Sequence, residues 1–476
     1  MALPPPVRLP AAVQTAAFMA DPTMFLERCR SRYGDVFEAR FLGMGRFVYV
    51  CDPQLIKQVF AADRDIGLAG EARKPFMEAV LGSQSLLTTD GEQWERQRKL
   101  LGPPFHGERI EGYREQIEQI AAAEVERWPR GMAIPLRPRM QAITLEVILR
   151  LIFGIEDAAR LERLRSLLST FTETGHWMFW MPSFVKDLID RTARAGGAVA
   201  RLSPWTRVQR RLDEIDSLLY DEIARRRADP GLHDRADILS LLIQGGEAGD
   251  TELRDELMTL LMAGHETTAT SLSWAFERLA RHPQVMARLR AEIDGGESEE
   301  YLDAVAKETL RIRPVITDVI RALREPMRLD GWEIPTNRFV APAIVTVHRR
   351  GDIHDDRLEF RPERFLTGRS ETFAGWIPFG GGRRRCVGSH MALLEMKAVI
   401  RTVVARVDLE APDARDERAR LHHVTLIPAR GALLTVRPRA VPGTDSTWTT
   451  TSASPSAATP GPSSAAPPPH TATATG

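Results

Sequence analysis

The run Phe379-Gly-Gly-Gly-Arg-Arg-Arg-Cys-Val-Gly388 limits what this chain can become more than any other stretch. It reads as a glycine-rich, arginine-studded turn that opens a helix over Ser389–Ile400. A thiol at such a place, among cations and ahead of a helix N-terminus, is favoured in its thiolate form. A thiolate is a soft, electron-rich metal ligand. The glycines let backbone approach something flat and bulky, and the arginines can pair with anions. Haem meets each need: an iron for Cys386, a macrocycle for the glycines, propionates for the arginines. The plainer alternative is a buried free cysteine beside a basic phosphate loop. Phe, Gly, Gly, Arg, Cys and Gly at these offsets favour haem.

Four other motifs carry chemistry-bearing residues. Ala263-Gly-His-Glu-Thr-Thr268 lies within an apolar-rich stretch from Asp250 to Arg281. Leu257–Met262 is apolar on nearly every side, which argues for a helix buried in the middle of the protein, and His282-Pro283 supplies the stop. Gly264, lacking a Cβ, lets that helix approach a cofactor face. Thr267 offers a hydroxyl that donates and accepts, and Glu266 a carboxyl for proton exchange. The competing reading is an ordinary helix kink with a self-bonded threonine. His265 reads as a packed or hydrogen-bonded histidine rather than a catalytic one. Glu308 and Arg311 share one helical face at i and i+3, as do Trp94 and Arg98 at i and i+4. The fourth motif is Phe360-Arg-Pro-Glu-Arg-Phe365.

These motifs, in this order, resemble the cytochrome P450 family, the haem-thiolate monooxygenases, over about residues 20–435. The resemblance implies a mainly α fold with a smaller β-region, and haem b (iron protoporphyrin IX) between a long central helix and the Cys386 loop. It implies that Cys386 is the axial iron ligand, with Phe379 and Gly382 in the binding loop and Gly264 on the oxygen side. Trp94, Arg98, Arg321 and Arg384 correspond to propionate partners. Glu308, Arg311 and Arg364 correspond to a buried charge network behind the cysteine loop, structural in role. Ala263, Val315, Ile316 and Thr317, with residues near Leu426, correspond to pocket walls. Thr267 and Glu266, with ordered water, correspond to the relay that brings protons to the distal oxygen. The segment after His348 departs from the pattern: Arg-Arg-Gly-Asp stands where many relatives have a proline before the aspartate, at a surface turn.

Motifs spread from Trp94 to Cys386 must converge on one cofactor, which makes residues 1–439 one domain, with 1–19 as an extended N-terminal arm. Residues 440–476 turn to Ser, Thr, Ala, Pro and Gly and read as a disordered tail. A formal net charge of +0 gives nucleic-acid binding no electrostatic support. Cys29, Cys51 and Cys386 form no disulfide framework, which makes a reducing, cytoplasmic setting the default. The N-terminus holds no apolar run of membrane-anchor length.

Asp35 to Cys51 suggests two short strands around Gly43-Met-Gly45, and Pro53 to Asp63 a helix. The connection from Gly67 to Trp94 reads as irregular, and in the family it covers the pocket. Ile117–Trp128, Ile143–Phe153 and Trp205–Arg227 are the clearer helices of a helical stretch from Gly107 to Gly245. Residues 318–347 turn strand-like, with Met327–Pro335 as a hairpin candidate. Met178-Phe-Trp-Met-Pro-Ser-Phe184 reads as a channel lining or a packed helix edge.

The expected activity is O2-dependent oxidation of a largely apolar small organic substrate. The chain holds no flavin or nicotinamide domain, so electrons are expected from a separate ferredoxin-type donor with its reductase. Arg383, Arg385 and Lys99 form a plausible docking face, with simple solvation the alternative. A haem-thiolate isomerase, dehydratase or peroxygenase is disfavoured by the Glu266-Thr267 pair. A haem-dependent sensor is disfavoured by the lack of a fused output domain.

Overall fold

The architecture is built around one buried helix, α11 (Asp250–Arg281), whose 32 residues span about 48 Å. Its first turn carries Asp250 and Glu252, and its last turn Arg278 and Arg281, each complementing the helix dipole. Pro283 begins the next helix, so α11 stops at His282. The computed structural model describes residues 2–105, 107–155, 157–174, 204–367 and 375–439. The 178–184 cluster and the tail 440–476 lie outside the described residues. Met1–Arg439 forms one compact unit.

Among the described residues, the helices of seven residues or more are, in chain order, α1 (Ala11–Ala20), α2 (Pro22–Tyr33), α3 (Pro53–Ala61), α4 (Ala69–Leu81), α5 (Gly91–Leu101), α6 (Arg114–Val125), α7 (Arg137–Leu151), α8 (Ala158–Thr174), α9 (Pro204–Arg227), α10 (Ile238–Gln244), α11, α12 (Pro283–Gly295), α13 (Glu300–Ile312) and α14 (Ser389–Arg406). Helix α11 packs chiefly on α7, and also on α14 and α13, while α14 packs on α6. Their apolar faces merge into the main core, including Leu257, Leu261, Phe276, Val399 and Val403.

The β-region follows turn chemistry. Strands β1 (Val36–Phe41) and β2 (Gly45–Val50) pair antiparallel, and β8 (Phe339–Pro342) adds parallel to β2. The turn between β1 and β2 needs positive φ at Gly43 and Gly45. Two-residue β3 (Gly67–Leu68) pairs with β5 (Ala322–Leu323). β4 (Ala133–Pro135) and β9 (Val407–Glu410) flank β12 (Leu433–Pro438). β6 (Met327–Leu329) and β7 (Trp332–Ile334) form a hairpin whose Asp330-Gly331 turn has positive φ at both residues, as an Asp-Gly hairpin demands. β10 (Ala419–His422) and β11 (Thr425–Pro428) form another.

Two expectations change. The N-terminal arm is extended only at its start, where Val7 N–H bonds Glu38 O at 2.8 Å and Glu38 N–H bonds Pro5 O at 2.9 Å. Residues 11–20 are helical, because nothing between Pro10 and Asp21 interrupts a run of alanine-rich helix formers. The Gly67–Trp94 connection is not irregular throughout either. It contains all of α4, which tolerates Pro75 in its interior, and the start of α5.

Behind the cysteine loop, Arg311 uses all five guanidinium N–H groups. Nε and Nη2 meet Glu308 at 2.6 and 2.8 Å, and the others meet the carbonyls of His348, Arg357 and Glu359 at 2.8, 2.9 and 3.1 Å. Arg364 Nε reaches Glu308 Oε1 at 3.1 Å, and the Arg361 N–H reaches it at 2.8 Å. The two side chains of the central pair are 0% exposed. His348, whose carbonyl Arg311 holds, accepts the Ile377 N–H at 2.9 Å through Nε2. Burial, followed by the Arg311 charge, pushes this imidazole well below its usual range and keeps it neutral and able to accept. Trp376 Nε1–H donates to Lys307 O at 3.2 Å. The chain therefore enters the loop at 379 from an anchored stem.

Candidate functional site

One cavity brings most of the singled-out residues together. Trp94 and Arg98 come from α5, and Ala263, Gly264 and Thr267 from α11. Val315 and Ile316 follow α13, and Phe379, Arg384 and Cys386 come from the loop. On α11 the lining positions 259, 260, 263, 264, 267, 268 and 271 recur every three or four residues, the signature of one helix face.

Gly382, Glu266, Thr317 and Arg321 do not line it. Gly382 has φ +64°, and a Cβ there would lie 2.8 Å from Phe60 O. Its role is to seat the loop against α3. Glu266 points to the far side of α11: Oε1 accepts from Arg137 Nη2 at 2.5 Å and Oε2 from Gln141 Nε2 at 2.9 Å. Thr317 donates to Asp318 at 2.7 Å. Arg321, 1% exposed, is paired with Asp63 at 2.5 Å and donates to Ile320 O. Leu426 also lies away from the lining, its carbonyl taking the Trp274 indole N–H at 2.8 Å.

Gly264 does face the cavity, but a Cβ on it would meet Ile148 Cδ1 at 3.2 Å. The missing side chain serves the close crossing of α11 over α7. Thr267 Oγ1 donates to Ala263 O at 2.5 Å, the back-bonded geometry, with its lone pairs left to accept. His265 is buried against Thr144, Nδ1 to Oγ1 2.8 Å, and burial pushes it down to about 4.

Cys386 opens onto the cavity deep in the protein. Burial raises its thiol above the ordinary value, against the opposing pull of the Gly388 N–H and the Arg98, Arg385 and Arg73 charges. The loop's cations therefore do not by themselves create a thiolate. A bound metal ion deprotonates a coordinating thiol outright.

The arginines differ in how they are held. Arg384 donates to Thr89 O at 2.8 Å, pairs with Asp90 and lies 4.1 Å over the Trp94 ring. Burial presses it down to about 10. Arg98 is lowered by burial, partly countered by Cys386. Arg73, on α4, was not singled out in the sequence, because the helix that carries it read as irregular. Burial and then the Arg321 and Arg384 charges push it down to about 9. Among the described residues, neither Arg73 nor Arg98 has a side-chain ion pair or hydrogen bond. Unpaired guanidinium groups in a mostly apolar cavity mark the place of an anion.

Glu395 is a second residue missed. It lies on α14 with Met391, Ala392 and Met396 on the cavity side, and that i, i+4 pattern was its only signal. Burial pushes it up to about 8, and its Oε1 has no partner among the described residues.

The segment between α4 and α5 is strapped at both ends. The Gln84 and Leu86 N–H groups bond Asp255 and Glu256 at 2.9 and 3.0 Å, and Ser85 Oγ meets Thr259 Oγ1 at 2.6 Å. Arg384 holds its other end at Thr89 and Asp90, and Leu86 and Leu87 line the cavity between.

The cytochrome P450 family model matches residues 3–436. The chain belongs to the cytochrome P450 family. It is 42% identical over 447 residues to cytochrome P450 135B1 of Mycobacterium bovis, covering 92% of each chain. It is 38% identical to cytochrome P450 138 of the same organism, covering 92% of this chain and 97% of the relative. Among solved structures, retinoic acid-bound cyanobacterial CYP120A1 superposes with TM-score 0.77 at 22% identity, covering 92% of this chain and 100% of that one. The haem domain of cytochrome P450DA gives 0.76 at 21%, covering 92% and 98%. These two likenesses show the fold. P450 family proteins bind haem b, and this chain is a haem-thiolate monooxygenase of that family, working with substrate, O2 and redox partners. No helix among the described residues is long and apolar enough to cross a membrane.

Proposed function

We propose that this P450 oxidises a largely apolar small organic substrate, by hydroxylation or a related insertion, with electrons from a ferredoxin-type donor fed by a reductase. In this reading Cys386 ligates the haem iron, while Arg73, Arg98, Arg384 and the Trp94 indole hold the propionates. The observation that carries it is the convergence of one thiol, four arginines (Arg73, Arg98, Arg384 and Arg385) and an indole on a single cavity with mainly apolar walls. Bound haem supplies the O2 activation, and its thiolate ligand the electron density that favours O–O cleavage.

The chain's own residues do the rest. Leu86, Leu87, Leu260, Ala263, Val315 and Ile316 exclude water and favour an apolar substrate. Thr267, its own proton committed to Ala263 O, accepts a hydrogen bond on the cavity side. Glu266 holds a carboxylate one residue away, behind the helix, and must turn from Arg137 toward the cavity to deliver a proton. Lys99, Arg383 and Arg385 are exposed on the Cys386 side, Arg383 in a 2.6 Å pair with Glu95. They offer a basic face to an acidic electron carrier.

The test is the ferrous–CO spectrum and NAD(P)H-driven product formation with redox partners supplied. A thiolate-type Soret band and coupled turnover are expected, and Cys386→His should retain pigment while losing both. Full activity in that variant, or a histidine-type band in the native protein, would overturn the assignment.

A further inference from the structure

Monooxygenation sends one oxygen atom out as water, so protons must reach the cavity from solvent. Glu266 is the carboxyl beside Thr267, but its hydrogen-bonded neighbours cannot recharge it. The Arg137 guanidinium offers donors without serving as a proton source, and the side chains of Gln141 and Thr270, at 2.9 and 3.5 Å, carry no ionisable group. His265 is held neutral and bonded to Thr144.

An imidazole faces the carboxylate from another element. His422, at the end of β10, places Nδ1 4.0 Å from Glu266 Oε1. Its turn is fixed by Thr425, whose Oγ1 donates to His422 O at 2.8 Å, and by the Leu421–Leu426 register. His423 stands behind it, Nδ1 to Nδ1 3.1 Å, the rings edge-to-face at 4.2 Å. The backbone at His423 is left-handed, φ +54°, a conformation histidine accepts more readily than most residues. Both residues are partly buried, the His422 side chain 12% exposed, and Glu266 adjoins the cavity threonine in the chain.

We propose that His422, backed by His423, supplies protons to Glu266. This rests on the relay role given above to Glu266 and Thr267. His423, protonated from solvent, passes its Nδ1 proton to His422 Nδ1 and returns to the neutral ring. The His422 imidazolium then gives it to Glu266 Oε1, leaving a neutral imidazole and a neutral carboxyl that is free to leave Arg137. The 4.0 Å gap exceeds a hydrogen bond and closes by a side-chain shift of about 1 Å or through one water.

The test uses the haem-loaded full chain with redox partners, reading coupled turnover against pH, together with NMR titration of the His422 ring. In the native protein, coupled turnover falls as pH rises through the range where imidazoles titrate. His422→Gln should lower it roughly tenfold below that range and flatten this limb. Independently of turnover, the His422 ring should titrate at lower pH in Glu266→Gln than in the native protein, because a nearby carboxylate favours imidazolium. A native rate and profile in His422→Gln, or identical ring titration with and without Glu266, overturns the proposal. Uncoupling by Thr267→Ala and Glu266→Gln but not by His422→Gln overturns it alone. Unchanged coupling in all three overturns the relay itself.

Discussion

Two groups of buried arginines in this molecule look alike in sequence and differ in how they are satisfied. Arg311 gives every guanidinium N–H to Glu308 or a backbone carbonyl, and Arg364 closes the same carboxylate. Arg73 and Arg98 line the cavity with no side-chain partner among the described residues, and burial lowers both. A closed set holds a fold, and an open set in an apolar recess holds an anion. Arg384 stands between the two groups: it lines the cavity while giving donors to Thr89 and Asp90.

The largest expected effect tests the closed set. Arg311→Ala leaves Glu308 buried and uncompensated, and should lower stability by about 3–5 kcal/mol in urea denaturation of the haem-loaded protein. A loss under about 1 kcal/mol would place the pair with ordinary surface bridges. Next, Arg98→Ala should leave folding largely intact but weaken haem retention by roughly tenfold to a hundredfold, the worth of a charge-assisted hydrogen bond. Haem transfer to an apo-globin measures this, and Arg73→Gln should behave the same way more mildly. Native retention in both variants would erase the distinction between the two groups.

The smallest effect concerns Glu395, a cavity-facing acid with a spare oxygen. Its folded value is raised to about 8, so the unfolded chain ionises first. The unfolded state then binds fewer protons between the ordinary carboxyl value and about 8, and stability falls as pH rises through that window. Glu395→Gln should remove this slope, giving a melting temperature on the order of a few °C higher at pH 8 and little change near pH 4. Parallel melting curves across the window would show that Glu395 has a partner in the loaded protein.

Much of the site could be read from residue types and spacing. The Cys386 loop and the Trp94–Arg98 pair line one cavity, and Glu308, Arg311 and Arg364 form one buried network. The errors share a physical cause, that spacing shows type but not direction. Glu266 stands beside Thr267 in the sequence, yet Arg137 and Gln141 on α7 take its carboxylate while Thr267 lines the cavity. Gly264 and Gly382 are needed as glycines, yet the space they leave is filled by Ile148 and by α3 rather than by a cofactor. Arg321 matched a motif position, but Asp63, 258 residues away, takes it. Arg73 was hidden by Pro75, which argues against the helix that carries it.

The strap from Gly82 to Asp90 has a further consequence. Its inner residues Leu86 and Leu87 touch whatever enters the cavity, while its ends are fastened to α11 and to Arg384. A guest too bulky for this wall has no slack to push into. It must strain either the helix that carries Thr267 or Arg384, so the role proposed for Arg384 ties substrate size and haem seating to one shared tension.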